Sequence, residues 1–237
     1  MFLRYLLLTL ISFSASAESN IQIKTNSITI IGETHGRPES IKLFQSLIQN
    51  YLKNNECLTV ALEINSNQQE TIDKVIQGGV VVSDIEISPI IDHPAFRTMI
   101  DDLAIQQRSG ACLKILAIDA GDDINMNRDE WMAFNMVGQT DGAPILALLG
   151  GLHTLKKINW DLPMTKGSPS VAEILSKHVN SYPQVGLSTE CDKSLHNRFI
   201  PADTPEALEL LINSIFSLLN AFEPDSAVGI IAWECSV

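Results

Sequence analysis

Apolar residues follow two rhythms along this chain, and the rhythms alternate. Continuous β-branched or leucine-rich runs occur at about residues 27 to 32, at Leu58-Thr59-Val60-Ala61-Leu62 leading into Glu63-Ile64, at Leu113 to Asp119 and at Pro144 to Leu149. Two more lie at Val185 to Glu190 and Val228 to Glu234. Short apolar runs bounded by turn residues predict buried strands. Between them apolar side chains recur at helical spacing: Ile41, Leu43, Phe44, Leu47, Ile48, Tyr51 and Leu52, then Ile72, Val75 and Ile76, then Phe96, Met99, Ile100, Leu103 and Ile105. Pro38 and Pro94 suit the first turns of helices. Asn127 to Met136 reads as a helix with acids near its start, as the helix dipole favours. A short helix is expected over Ser170 to Lys177, and Thr204-Pro205-Glu206 opens one over Leu208 to Leu219.

Strand and helix thus alternate throughout, which predicts a single α/β domain with a mainly parallel central sheet and helices on both faces. Residues 80 to 92, apolar and acidic by turns, are expected to form a loop with a short ordered piece. Residues 156 to 168, containing Trp160, Pro163 and Gly167, have loop composition and are placed to fold over a site.

The N-terminus breaks the pattern. Arg4, the apolar stretch Leu6 to Phe13 and Ala15-Ser16-Ala17 follow the order of a secretory signal peptide over residues 1–17. The stretch is shorter than the roughly 20 residues a spanning helix needs. The domain is therefore expected to occupy residues 18–237, secreted across the inner membrane to the periplasm, with no span in the mature part. Removing Arg4 with the leader leaves 15 basic residues against 28 acidic ones, a net charge of −13. Such a surface repels phosphate backbones, and no basic run carries interleaved aromatics, so nucleic acid is not an expected partner.

Export gives the four cysteines weight, because an oxidising compartment favours pairing. Cys57 and Cys112 each open a predicted strand, whereas Cys191 and Cys235 each close one. In one parallel sheet the first two share the amino edge and the last two the carboxyl edge, which predicts Cys57–Cys112 and Cys191–Cys235. No Cys-x-x-Cys occurs, so neither a zinc knuckle nor a thioredoxin-like pair is supported.

The chemistry gathers where strands end. Ile31-Gly32-Glu33-Thr34-His35-Gly36 closes the first strand and Gly150-Gly151-Leu152-His153 the fourth, with Glu63 and Asp119 closing the second and third. Ligands of open α/β sheets bind outside the carboxyl ends of strands. Glu33, His35 and His153 offer the donors of a catalytic zinc, manganese, cobalt or iron ion, which would activate water or polarise a carbonyl. Without a metal the same side chains support acid–base work, a histidine as base and a glutamate orienting it or accepting the proton. Arg128 either clamps a substrate anion or pairs with Glu130 and solvent, and Asp119 either lines the site or caps a turn. There is no Gly-x-Ser-x-Gly elbow, no phosphate-cradling Gly-rich Lys-Ser/Thr loop and no Cys-x-x-Cys-His.

At Ile31 to Gly36, Ala61-Leu62-Glu63, Asn127 to Ala133 and Gly150 to His153 the sequence resembles the superfamily that groups Tiki and TraB-type proteins, ChaN-like haem-uptake proteins and erythromycin esterases. The resemblance spans about residues 27 to 155. It implies a site built from Glu33, His35, Glu63 and His153 and lined by Arg128. The Tiki branch implies a metal-dependent protease, the esterase branch catalytic histidine and glutamates, and the ChaN-like branch haem held at a dimer interface, hence a homodimer. The chain is much shorter than an erythromycin esterase and lacks most of that branch's extra helices. The leading expectation is an exported hydrolase, metal-dependent, cleaving an amide or ester bond of a small-molecule or peptide substrate. In it Glu33, His35 and His153 bind the ion or activate water, Glu63 is base or ligand, and Arg128 and Asp119 contact the substrate. The rival is a non-catalytic protein that binds haem or another iron compound through the same histidines.

Overall fold

The computed structural model describes residues 20–54, 56–139, 142–157, 168–176, 178–187, 195–218 and 226–235. The expected leader, Cys191 with its predicted pairing, and most of the 156–168 segment lie outside the described residues. Among the described residues the elements run β1 (Ile28–Glu33), α1 (Pro38–Leu52), β2 (Leu58–Asn65), α2 (Gln69–Ile76), α3 (Pro94–Arg108), β3 (Leu113–Asp119), α4 (Arg128–Val137), β4 (Ile145–Gly150), α5 (Val171–Leu175), β5 (Val179–Tyr182), β6 (Gln184–Gly186), β7 (Leu195–Pro201), α6 (Pro205–Ile212) and β8 (Gly229–Cys235). The 80–92 stretch carries a single short helical turn, Val82–Asp84, as its mixed pattern predicts.

Five strands form a parallel sheet in the order β3-β2-β4-β1-β5. The unbroken apolar runs exist because both faces are covered. Ile31, Val60, Leu62, Leu146 and Leu148 face α1, α2 and α3, where Phe44, Ile48, Ile72, Phe96 and Met99 meet them. Ile28, Ile30, Ala61, Ala147 and Leu149 face α4 and α5, packing on Met132, Met136 and Val171. The helices up to β3 thus lie on one face and the two that follow it on the other. The chain reverses at β3 and returns to insert β4 between β1 and β2. Such a reversal opens a crevice at the carboxyl ends of neighbouring strands.

The predicted fifth and sixth strands do not belong to this sheet. The fifth strand of the main sheet is the short Val179–Tyr182, which pairs with β1. Pro183 follows it and has no N–H to donate to the ladder. The chain then passes into a separate three-stranded sheet, β6-β8-β7, in which β6 is parallel and β7 antiparallel to β8. Ile231 N donates to Pro183 O at 2.9 Å, where the chain leaves one sheet for the other. Val185, Ile230 and Ala232 of this sheet share a small core with Ala207 and Leu211 of α6 and with Phe216. The Cys191–Cys235 expectation was argued from one common sheet; Cys235 ends β8 of the smaller one and is disulfide-bonded, while Cys191 lies outside the described residues.

Cys57 and Cys112 are joined, as predicted. They directly precede the neighbouring strands β2 and β3 at the amino edge, opposite the candidate site, and their separation of 55 residues closes a long loop. The chain-entropy model gives such a cross-link about 4 kcal/mol, and measured values fall nearer 2–4 kcal/mol. The double variant Cys57→Ser/Cys112→Ser is expected to melt roughly 5–15 °C lower, given about 2–4 °C per kcal/mol for a chain of this size. Thermal unfolding of wild type with and without reductant reads the same quantity. The bond is compatible with an oxidising compartment. Among the described residues no helix is long and apolar enough to cross a membrane.

Candidate functional site at the carboxyl edge

β1 ends in Glu33, and the turn that follows is closed by Gly36 at φ +74°, a conformation that favours glycine. Thr34 N donates to Ser40 Oγ in the first turn of α1, which starts at Pro38, so the turn is tied to the helix it feeds. This arrangement folds His35 back over the end of the sheet. Its Nδ1 lies 2.6 Å from Glu33 Oε1. The other nitrogen lies against the end of β4, where a Cβ on Gly150 would come within 2.7 Å of His35 Nε2. Glycine at the first position of Gly150-Gly151-Leu152-His153 therefore makes room for the histidine of the other motif. Glu33 is buried, and among the described residues its second oxygen has no hydrogen-bond partner. His35 keeps 32% of its side chain exposed.

Glu63 sits where the register of β2 against β3 shifts, between Leu62 and Asn65. Only 5% of its side chain is exposed and both oxygens are taken. Oε2 accepts from Gly150 N at 2.6 Å and Oε1 from Arg128 Nη2 at 2.5 Å. Arg128 is the first residue of α4, whose N-terminus is capped by the Asn127 side chain accepting from Asp129 N and Glu130 N. Its Nε donates to Asp119 Oδ1 at 2.7 Å and its Nη2 to Asp119 Oδ2 at 2.8 Å, the bidentate fork that suits a guanidinium. Nη1 approaches His153 Nε2 at 3.3 Å. His153, on the turn Gly151–Thr154 after β4, places Nδ1 2.9 Å from Asp129 Oδ2. Asp129 Oδ2 also accepts from Val171 N at the start of α5.

The five residues predicted at strand ends, Glu33, His35, Glu63, Asp119 and His153, are thus brought to one edge, with Arg128 among them. Both oxygens of Asp119 accept from Arg128, and Oδ1 also accepts from Ala120 N at 2.8 Å, so it caps the turn after β3 as well. Asp129 was missed: it reads in sequence as an acid in the first turn of a helix, yet it holds His153 across 24 residues.

Charge follows the contacts. The hydrogen bond to Glu33, assisted by the Glu63 charge, holds the His35 imidazole above its usual pKa against burial. Burial pushes Glu63 upward, but the charges of His153 and Arg128 and the Gly150 N–H keep it below the ordinary carboxylate value. Burial works against the Arg128 charge, and Asp119 and Glu63 more than restore it. For His153, burial opposes charging, whereas Asp129 and Glu63 favour it and raise its pKa.

The expected metal set of Glu33, His35 and His153 is not assembled as one. Among the described residues no group of three His, Cys, Asp or Glu side chains is placed to hold a metal ion. Each imidazole gives Nδ1 to a carboxylate, and His153 Nε2 faces a guanidinium. The cation among Glu63, Asp119 and His153 is Arg128 itself.

No protein-family model and no curated protein matches the sequence. Solved structures do share the architecture. A Bacillus cereus protein aligns over 88% of both chains at TM-score 0.65 and 10% identity. ChaN of Campylobacter jejuni, which binds haem cofacially, aligns over 88% of both chains at TM-score 0.50 and 13% identity. The type III effector HopBA1 aligns over 94% of this chain and 98% of its own at TM-score 0.51 and 10% identity. At such identities the likeness establishes the fold, an α/β domain of the same kind as ChaN and the Bacillus cereus protein.

Proposed function

We propose that this is an exported hydrolase that cleaves an ester or amide bond by acid–base catalysis, with His35 activating water. The observation that carries the reading is the Glu33–His35 pair. One ring nitrogen is anchored at 2.6 Å to a buried carboxylate while the other lies at the end of β4 on a partly exposed side chain. A base must be oriented and reachable at once, and a carboxylate behind it stabilises the imidazolium that forms. The carboxylate oxygen of Glu33 that lacks a partner strengthens this, because an under-satisfied buried carboxylate gains most from a neighbouring positive charge. In this reading His35 takes a proton from water and returns it to the leaving alcohol or amine. Arg128, held by Glu63 and Asp119, faces the negative charge that develops on the substrate oxygen. Glu63 and Asp119 act on the guanidinium and not on the substrate, since their oxygens are occupied.

A second reading is binding of haem or a related iron compound. An imidazole whose Nδ1 is fixed by a carboxylate is also a good axial ligand, and the fold is shared with ChaN. His35 would hold the iron, which would supply its own redox or ligand chemistry. The two readings separate in one experiment on mature protein whose metal content has been measured by elemental analysis. Turnover of an ester and amide panel by metal-free protein, lost in His35→Ala, supports the hydrolase. A Soret band on haem addition that is lost in His35→Ala, with no turnover in wild type, replaces it by the binding protein.

A further inference from the structure

Arg128 has five N–H groups, and the structure accounts for four of them. Nε–H goes to Asp119 Oδ1, the two hydrogens of Nη2 to Asp119 Oδ2 and Glu63 Oε1, and one hydrogen of Nη1 to His153 Nε2. Among the described residues one N–H remains without a partner, on Nη1, and 47% of the side chain is exposed. A guanidinium is planar and its N–H directions are fixed together, so that hydrogen points where all the contacts jointly set the plane. Asp119 and Glu63 hold Nε and Nη2, and His153 adds the third hold, on Nη1. A guanidinium only donates, so in the neutral ring His153 Nε2 accepts and the proton sits on Nδ1; in the imidazolium the same Nε2–H faces Glu63 Oε1 at 3.7 Å. Nδ1 faces Asp129 Oδ2, an acceptor, at 2.9 Å. The same oxygen takes Val171 N at 3.0 Å, which ties Asp129 to the start of α5. The chain of contacts has one polarity from end to end.

We propose that Asp129 and His153 form a brace for Arg128: Asp129 fixes the Nδ1–H tautomer of neutral His153, whose Nε2 completes the hold on the guanidinium and keeps the N–H of Arg128 that is unengaged among the described residues aimed at the substrate oxygen. Both are positioning residues, and Arg128 is the group that touches the substrate. The brace explains why a second Gly-x-x-His element is present without serving as a second base. His153 is less exposed than His35, and both its nitrogens are engaged. The assignment of Arg128 to a substrate oxygen rests on the hydrolase reading; the tautomer does not.

The test therefore has two arms. Long-range proton–nitrogen NMR of labelled protein, under conditions where the ring is neutral, is expected to show His153 protonated on Nδ1 and bare on Nε2. Asp129→Asn, whose amide oxygen can still accept from Nδ1–H, should keep that tautomer, and Asp129→Ala should lose it. A bare Nδ1 in the wild-type protein overturns the brace. In the second arm, His153→Ala, which leaves the Asp129–Val171 contact in place, is expected to lower kcat by about 10-fold, less than the ~10²–10³-fold that deleting an oxyanion donor itself costs. KM should stay within about twofold, since the interaction strengthens only in the transition state. Unchanged kcat in both His153→Ala and Asp129→Ala overturns the proposal. Absence of any hydrolysis by wild type overturns only the substrate role of Arg128, and the tautomer arm then decides the brace by itself.

Discussion

Replacing Arg128 by alanine is expected to destabilise the protein by about 2–3 kcal/mol, although the residue is nearly half exposed. Its partners are the reason. Glu63 exposes only 5% of its side chain and Asp119 only 13%, and the substitution leaves both carboxylates at the edge of the sheet without their common cation. Breaking a buried pair by removing one partner costs about 3–5 kcal/mol; solvent around the guanidinium places this case below that range. The pH dependence follows from Glu63. Its pKa is held down in the folded state by His153 and Arg128, so the stability it contributes is complete above the unfolded-state value and disappears as pH falls through the folded one. The gap between wild type and Arg128→Ala in denaturant unfolding should therefore be widest near neutrality and narrow below about pH 4. Arg128→Lys restores the charge but not the fork and should fall between the two. A loss under about 0.5 kcal/mol at neutral pH would mark the pair as an ordinary surface contact.

Four strands of the main sheet were legible because they are mostly apolar runs. Ile28–Glu33, Leu58–Asn65 and Ile145–Gly150 are buried almost throughout, and the edge strand Leu113–Asp119 breaks its run only at the exposed Lys114. A polar residue that ends such a run stands out for the same reason, which is why Glu33, Glu63 and Asp119 could be found without a structure. The disulfide was legible because β2 and β3 are sheet neighbours whose first residues lie side by side. Two strands were not legible. Val179–Tyr182, the fifth of the main sheet, contains Asn180 and Ser181, and Leu195–Pro201 of the smaller sheet contains His196, Asn197 and Arg198, so neither carries the apolar run of a covered strand. Pro183 marks the break between the two sheets, but a lone proline after a short strand reads equally as a loop.

The character of the site was hidden for a different reason. Carboxylates and imidazoles at strand ends suit a metal ion, an acid–base pair or a haem iron alike. Among Glu63, Asp119 and His153 the cation is Arg128. Its position depends on α4 crossing the sheet from β3 to β4, which carries Arg128 to Glu63 and Asp129 to His153. That crossing follows from strand order, which residue spacing does not encode. Asn127 and the acids after it gave the start of the helix correctly but hid the role of Asp129, because an acid in a first turn already has a sufficient reason to be there.

The largest functional effect is expected at His35. If this imidazole activates water, His35→Ala should lower turnover by about 10²–10⁴-fold, the usual contribution of a positioned base, while thermal unfolding changes little. The pH profile is the sharper measurement. A base works only when unprotonated, so activity must rise with pH through its pKa. The hydrogen bond to Glu33 and the Glu63 charge place that pKa above the ordinary value, so the acid limb of kcat/KM should lie above about pH 6.5. Glu33→Gln removes the charge and should shift the limb back downward, with a smaller loss of maximal rate than His35→Ala. Stability runs the other way. The Glu33–His35 pair contributes fully below the unfolded-state pKa of the imidazole, and that contribution is lost as pH rises through the raised folded value. Catalysis and pairing thus draw on opposite protonation states of one ring, and Glu33→Gln should weaken both dependences together. A limb that stayed in place in Glu33→Gln would assign it to another group and remove His35 from the role of base.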